Sequence, residues 1–289
     1  MEKYRIAGFL LLAALAGTCA AQTKNMLVST EWLSTRLQDP SLVILHVGSQ
    51  QDYDQGHIPG ARLLTLAGIS VTGERGVRLE LPPVKALEAA FGKLGVSNTS
   101  RIIIYPGAEA VPPATRVWFT LDYLGAGDRA SLLDGGLAAW RAEGRPVTTA
   151  APRVEPMPFT ARPRPHAVVN AQWIQARLER PGVVLVDARM PEFYCGSSAA
   201  GMPRAGHIPG AHNVPYTKLL DGQKFKPAAA LKQLLPPAAT GRMVVYCHVG
   251  QTATVPYFAA RYLGYDVALY DGSFQDWSQN TELPVSGKP

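Results

Sequence analysis

Cysteine is scarce in this chain of 289 residues: three occur, Cys19, Cys195 and Cys247. Clusters of Lys or Arg are missing although the formal net charge is +6, so the excess is diffuse and lacks the footprint of a nucleic-acid binder. No group of His, Cys, Asp and Glu has metal-ligand spacing, so neither a metal nor another cofactor is expected. Runs apolar enough to cross a bilayer are absent as well; the best candidate, Ile6 to Gly17, is too short. What remains is a globular composition, 47% hydrophobic and 17% charged, in a chain long enough for two ordinary domains.

Lys3 and Arg5 stand before that apolar run, and Thr18, Cys19, Ala20, Ala21 and polar Gln22 follow it. This pattern predicts a secretory signal peptide over residues 1–21, cleaved near Ala20 to Gln22. The protein is then periplasmic or secreted, a monomer free of the membrane after cleavage. An uncleaved anchor and a lipid on Cys19 are the alternatives. Cleavage removes Glu2, Lys3 and Arg5 and leaves a charge of +5, enough to draw small anions towards a cleft. It also leaves Cys195 and Cys247 in an oxidising compartment. They could form one disulfide, but two free thiols are the preferred reading. Cys247 stands where a reactive group belongs, and Cys195 lies in a loop-like stretch.

The rest of the chain is one unit written twice. Gly56-His57-Ile58-Pro59-Gly60-Ala61 recurs as Gly206-His207-Ile208-Pro209-Gly210-Ala211. Arg101-Ile102-Ile103-Ile104-Tyr105 matches Arg242-Met243-Val244-Val245-Tyr246. Leu132-Leu133-Asp134-Gly135-Gly136 matches Leu269-Tyr270-Asp271-Gly272-Ser273, and each half closes on a Trp-bearing helix, with Trp140 and Trp277. The halves span residues 25–147 and 167–289. Between them, residues 148–166 carry Pro152, Pro156, Pro158, Pro163 and Pro165, which predicts an extended, semi-rigid linker. Short apolar strands alternate with helical patterns in both halves. The expected fold is α/β, with a mainly parallel sheet in each half and helices on both faces. Ser29 and Asn170 read as helix caps, and Pro83 as a helix opener.

Val244-Val245-Tyr246 runs straight into Cys247, and His248-Val249-Gly250-Gln251-Thr252-Ala253 follows before an apolar helical pattern from Val255 to Leu263. This predicts strand, tight loop and helix N-terminus, with a thiol at the strand's carboxyl end. Ligands bind at that end of open α/β sheets. Free amides and the positive end of a helix dipole favour a thiolate, the nucleophilic form. Gly250 permits a tight turn, and the Thr252 hydroxyl can cap the helix or donate to a substrate.

Both halves resemble rhodanese domains, and the whole resembles a tandem two-domain sulfurtransferase. The residues that carry the likeness are Tyr53 and Leu64 with the His57 motif, Val186-Asp187-Ala188-Arg189, the His207 motif, the Cys247 loop, and Tyr270-Asp271-Gly272-Ser273-Phe274 with Trp277. The resemblance implies a catalytic second domain, an active site between the domains and a scaffolding first domain. The first half indeed has Pro106 opposite Cys247, with no nucleophile and no N–H. On this reading Cys247 attacks a sulfane sulfur, holds it as a persulfide and passes it to a thiophilic acceptor. The partners are a small anionic donor, thiosulfate ahead of 3-mercaptopyruvate, and an acceptor such as cyanide or a thiol.

His248, Val249, Gly250, Gln251, Thr252 and Ala253 are the candidate binding residues, their amides forming an anion-binding nest. A partly protonated His248 could pair with a sulfonate; otherwise it is a loop histidine without a role. The arginine that tandem relatives place after the Asp-x-Arg motif is missing from Met190-Pro191-Glu192-Phe193-Tyr194, and Arg204 is the candidate to supply that charge. Arg189 is expected in a structural ion pair, and His57 and His207 in backbone hydrogen bonds. A phosphatase of the same fold needs an arginine six positions after the cysteine, where Ala253 stands. A non-catalytic sulfur carrier is the competing reading.

Overall fold

The computed structural model describes residues 26–108, 111–178, 180–237 and 241–287. The expected leader, residues 1–21, lies outside the described residues. Among these, no helix is long and apolar enough to cross a membrane.

The first half runs β1 (Leu27–Val28), α1 (Thr30–Ser34), β2 (Leu42–Val47), α2 (Gln50–Asp54), β3 (Arg62–Leu64), α3 (Val84–Lys93), β4 (Arg101–Pro106), α4 (Val111–Tyr123), β5 (Ala130–Leu133) and α5 (Gly136–Ala142). The second runs β6 (Val168–Val169), α6 (Ala171–Gln175), β7 (Val183–Asp187), α7 (Pro191–Tyr194), β8 (His212–Asn213), β9 (Leu220–Asp221), β10 (Lys224–Phe225), α8 (Ala228–Leu234), β11 (Arg242–Tyr246), α9 (Thr254–Tyr262), β12 (Val267–Tyr270) and α10 (Ser273–Gln279). Each half holds a five-stranded sheet of the same topology, β1-β5-β4-β2-β3 and β6-β12-β11-β7-β8. Every pairing in both sheets is parallel. The expected α/β architecture with parallel sheets and flanking helices is the one observed. Ser29 and Asn170 cap α1 and α6 by accepting the Trp32 and Trp173 amides. Pro83 sits one residue before the first helical residue of α3 rather than on it.

Strand alternation decides where each side chain goes. In β4, Ile102 and Ile104 enter a central core while Ile103 and Tyr105 face an outer cluster. In β11, Met243 and Val245 enter the same central core and Val244 and Tyr246 face away. Cys247, two residues after Val245, follows them to the central side. That core is shared by both halves. Helix α4, buried along almost its whole length, meets α9 there. Phe119 packs edge-on against Tyr257 at 4.9 Å, and the Tyr257 hydroxyl donates to Asp122 at 2.8 Å.

Residues 149–164 form no helix or strand. The linker lies along the first half, with Met157 N–H donating to Gly92 O at 2.9 Å and Arg162 N–H to Leu124 O at 2.9 Å. Trp140 and Trp277 are fully buried, and each indole donates at 2.8 Å to a proline carbonyl, Pro146 or Pro284.

Candidate active site

Cys247 and Cys195 are free thiols; Cys247 is buried and Cys195 exposed. The loop after Cys247 has a consistent polarity. The carbonyls of Cys247 and His248 accept from Phe274 and Gln275 N–H at 3.0 and 2.9 Å. The Gly250 carbonyl accepts from Arg116 Nη1 at 3.0 Å, and the Gln251 and Thr252 carbonyls accept from Thr254 and Val255 N–H. None of the amides from His248 to Ala253 donates to a backbone carbonyl among the described residues. With these carbonyls engaged, the loop leaves its N–H groups without a backbone acceptor, an arrangement suited to anions. Gly250 makes the turn at φ +74°, and a β-carbon there would lie 2.5 Å from the Asp271 carbonyl. Thr252 does not cap α9. The cap position is Ala253, and Thr254 Oγ1 donates back to Gln251 O at 2.6 Å.

Two residues the sequence reading gave no role hold this loop. Ser273 is fully buried, accepts the Cys247 N–H at 3.1 Å and donates to Tyr270 O at 2.8 Å. It does so at φ +52°, where the first half has Gly136 at φ +56°. Arg116 reaches across from α4, also buried. Besides Gly250 O it donates to Asp271 Oδ1 at 2.5 Å and to Leu79 O at 2.6 Å. Asp271 completes the junction by accepting Leu81 N–H at 2.8 Å. Ser273 was findable from the repeat, as the position where a glycine gave way to a hydroxyl. Arg116 was findable as the one basic residue inside a largely apolar helix.

Val249 and Gln251 line a cleft of about 510 Å³ with Ala67, Ser70, Thr72, Arg78 and Leu79 of the first half. His248 is half-buried beside Phe193, with ring centroids 4.7 Å apart and edge-on. Burial, reinforced by the Arg189 charge, pushes its pKa down to about 4. The ring is therefore neutral near pH 7, so of the two readings of His248 the one that paired it, partly protonated, with a sulfonate is corrected. Arg204 is corrected too. Its guanidinium donates to the carbonyls of Trp277, Ser278, Asn280 and Leu283, fastening the end of the chain instead of facing a ligand. Arg189 is paired with Asp187 through contacts of 2.5 to 3.1 Å, both buried, and also donates to Gly206 O. His57 and His207 contact the Tyr53 and Tyr194 carbonyls at 2.9 and 2.7 Å and stack on those same tyrosine rings.

The opposite half shows what the site is without a thiol. Where β7 has Asp187 beside Tyr246, β2 has His46 beside Tyr105. His46 lies 3.0 Å from Asp52 and 3.1 Å from the Tyr105 hydroxyl, and Asp52 accepts Ala108 N–H at 2.8 Å. A β-carbon at Gly107 would fall 1.7 Å from Asp52, so that side of the Pro106 loop is filled by protein.

The family model for the rhodanese-like domain matches residues 29–143 and again 170–280. A probable 3-mercaptopyruvate sulfurtransferase of Pseudomonas aeruginosa is 34% identical over 281 residues, covering 90% of this chain and 97% of that protein. A sulfur carrier protein of Thermus thermophilus is 33% identical, covering 91% of this chain and 96% of that one. The crystal structure of a 3-mercaptopyruvate sulfotransferase from Escherichia coli superposes with a TM-score of 0.77 at 28% identity, over 86% of this chain and 98% of that one. With the domain matched twice and the topology repeated in both halves, the chain belongs to the rhodanese family.

Proposed function

We propose that the protein is a sulfurtransferase working through a persulfide on Cys247. The observation that carries this reading is the polarity of the loop after the thiol-bearing strand end, with the carbonyls of Cys247, His248, Gly250, Gln251 and Thr252 engaged and the amides from His248 to Ala253 without a backbone acceptor. The Cys247 thiolate attacks the sulfur of the donor. With 3-mercaptopyruvate the C–S bond breaks, its electron pair stays on carbon, and the thiol proton ends there, giving pyruvate. With thiosulfate the S–S bond breaks and sulfite leaves. The loop amides hold the charge of the persulfide anion. An acceptor nucleophile then takes the outer sulfur, and the Cys247 thiolate returns.

The preference for thiosulfate leaned on a charged His248. With that ring neutral the loop brings no cation of its own, which suits a singly charged carboxylate donor better than a dianion. 3-Mercaptopyruvate is accordingly the donor of this reading, in keeping with what the Pseudomonas and Escherichia proteins are named for. The test compares pyruvate release from 3-mercaptopyruvate with thiocyanate formation from thiosulfate and cyanide. Turnover with either donor, abolished by Cys247→Ser, supports the reading, and the larger kcat/KM names the donor. The similarity to a named sulfur carrier favours a second reading, in which Cys247 holds sulfur for a protein partner. Its mark is a persulfide on Cys247 by mass spectrometry without turnover of either donor. The proposal includes export through residues 1–21, with the site working outside the cytoplasm. N-terminal sequencing of protein from a periplasmic extract, starting near Gln22, is the expected result.

A further inference from the structure

We propose that the guanidinium of Arg78, presented by a first-half hairpin at the mouth of the cleft, receives the anionic end of the sulfur donor and sets donor affinity. The inference rests on the sulfur-transfer reading and adds a residue from the opposite half to it. The cleft is lined by Arg78 together with Val249 and Gln251 of the catalytic loop. Among the described residues, the other basic groups of this region are engaged or neutral. His248 is neutral, and Val249 to Ala253 carry no charge. Arg116 is engaged by Asp271, Arg189 by Asp187 and Arg75 by Asp276, while Arg204 serves four carbonyls. The strip from Met190 to Tyr194 offers no cation at all. Arg78 differs from these. It is exposed, and among the described residues its guanidinium has no hydrogen-bond or carboxylate partner.

Its backbone, by contrast, is fixed. Val71 and Glu80 pair as an antiparallel bridge, and Gly73 N–H donates to Val77 O at 2.8 Å, so the segment is a closed hairpin. The hairpin is fastened to α10. Arg78 N–H donates to Gln275 Oε1 at 3.0 Å, Gln275 Nε2 donates to Gly76 O at 3.0 Å, and Arg75 pairs with Asp276. Next in the chain, Leu79 stands at φ +59°, a conformation unfavourable for a leucine, and Arg116 Nη2 holds its carbonyl at 2.6 Å. A strained residue held by a buried arginine keeps the neighbouring Arg78 at the cleft. With the backbone anchored, only the Arg78 side chain itself remains to be ordered when an anion binds. Thr72 adds a hydroxyl to the same wall.

The test is steady-state kinetics of Arg78→Ala, Arg78→Lys and Arg78→Glu in the full chain, with 3-mercaptopyruvate and with thiosulfate. Loss of one charge-assisted contact is expected to raise KM about 10–100-fold in Arg78→Ala while kcat changes by no more than about 3-fold. Arg78→Lys recovers most of the affinity, Arg78→Glu is worse than alanine, and KM rises with salt in the native protein but not in Arg78→Ala. An unchanged KM in Arg78→Ala, or a fall in kcat alone, overturns the proposal. A calorimetric titration of Cys247→Ser with thiosulfate and with pyruvate, with and without Arg78→Ala, separates this inference from the sulfur-transfer reading. Binding that depends on Arg78 in a protein that turns over neither donor sinks the function and keeps the anion receptor. Turnover with binding indifferent to Arg78 does the reverse.

Discussion

Ser273 gives the sharpest test of how the catalytic loop is held. It is a serine in the left-handed region, fully buried, where the duplicated half uses glycine. A side chain there costs about 1–2 kcal/mol of backbone strain, which the two hydrogen bonds of its hydroxyl offset. Ser273→Ala keeps the strain and removes both bonds. The buried Cys247 N–H then loses its partner, a cost of about 1–3 kcal/mol. Ser273→Gly loses the same bonds but releases the strain, so it is expected to be about 1 kcal/mol more stable than the alanine variant. Activity should not follow stability. Both variants free the Cys247 amide, and both are expected to lose about 10-fold or more in kcat/KM. Urea denaturation followed by tryptophan fluorescence gives the stability difference, and pyruvate release gives the activity. An alanine variant as stable as the glycine variant, or a glycine variant with native kcat/KM, would refute the reasoning.

Three further outcomes are expected. Arg116→Ala leaves Asp271 buried with only the Leu81 amide and should cost about 3–5 kcal/mol, with Arg116→Lys recovering only part because an ammonium cannot reach three acceptors in a fork; denaturant midpoints check this. The low pKa of His248, about 4, means that the unfolded chain takes up a proton below about pH 6.5 while the folded one does not. Stability should therefore fall as pH drops from about 6.5 to 4, His248→Gln should flatten that part of the pH–stability curve, and kcat/KM should show no inflection near 6.5 that this variant removes. Arg204→Ala should lower the denaturant midpoint by the equivalent of about 2 kcal/mol and leave the KM for donor unchanged, as expected of a residue that fastens the carbonyls of Trp277, Ser278, Asn280 and Leu283.

The duplication, the parallel sheets and the place of Cys247 at a strand's carboxyl end were legible because each rests on local pattern. Matched motifs recur at matched places, and a β-branched run ends in Cys247 before a glycine-bearing loop. The companions of that loop were not legible in the same way. Arg116 and Gly250 are 134 residues apart, and nothing in the intervening pattern says that α4 will lie against α9. The surroundings of His248 and Arg204 were not legible for one reason. Their residue types suggest charge offered to a ligand, while burial neutralises the first and four backbone carbonyls occupy the second. Charge in a sequence is only nominal until desolvation and partners are known.

The same geometry explains why a half without a nucleophile belongs to the site. The two halves meet through reciprocal hairpins. Asp271 of the second half accepts Leu81 N–H at the base of the Val71–Glu80 hairpin, and Asp134 of the first half accepts Phe225 N–H at the base of the β9–β10 hairpin. Asp134 and Asp271 occupy the same place in the repeat. What differs is what each hairpin does next. On the first half, Gln223 lies over the Pro106 loop, donates to Gly107 O at 3.2 Å and fills the space a β-carbon at Gly136 would need. On the second half, the hairpin stands back and leaves a cleft of about 510 Å³ beside Val249 and Gln251. One pocket of the duplicated pair is thus closed by a side chain and the other kept open by an anchored backbone. Arg116 crosses the boundary to tie Gly250, so the first half supplies part of the frame that holds the loop after Cys247.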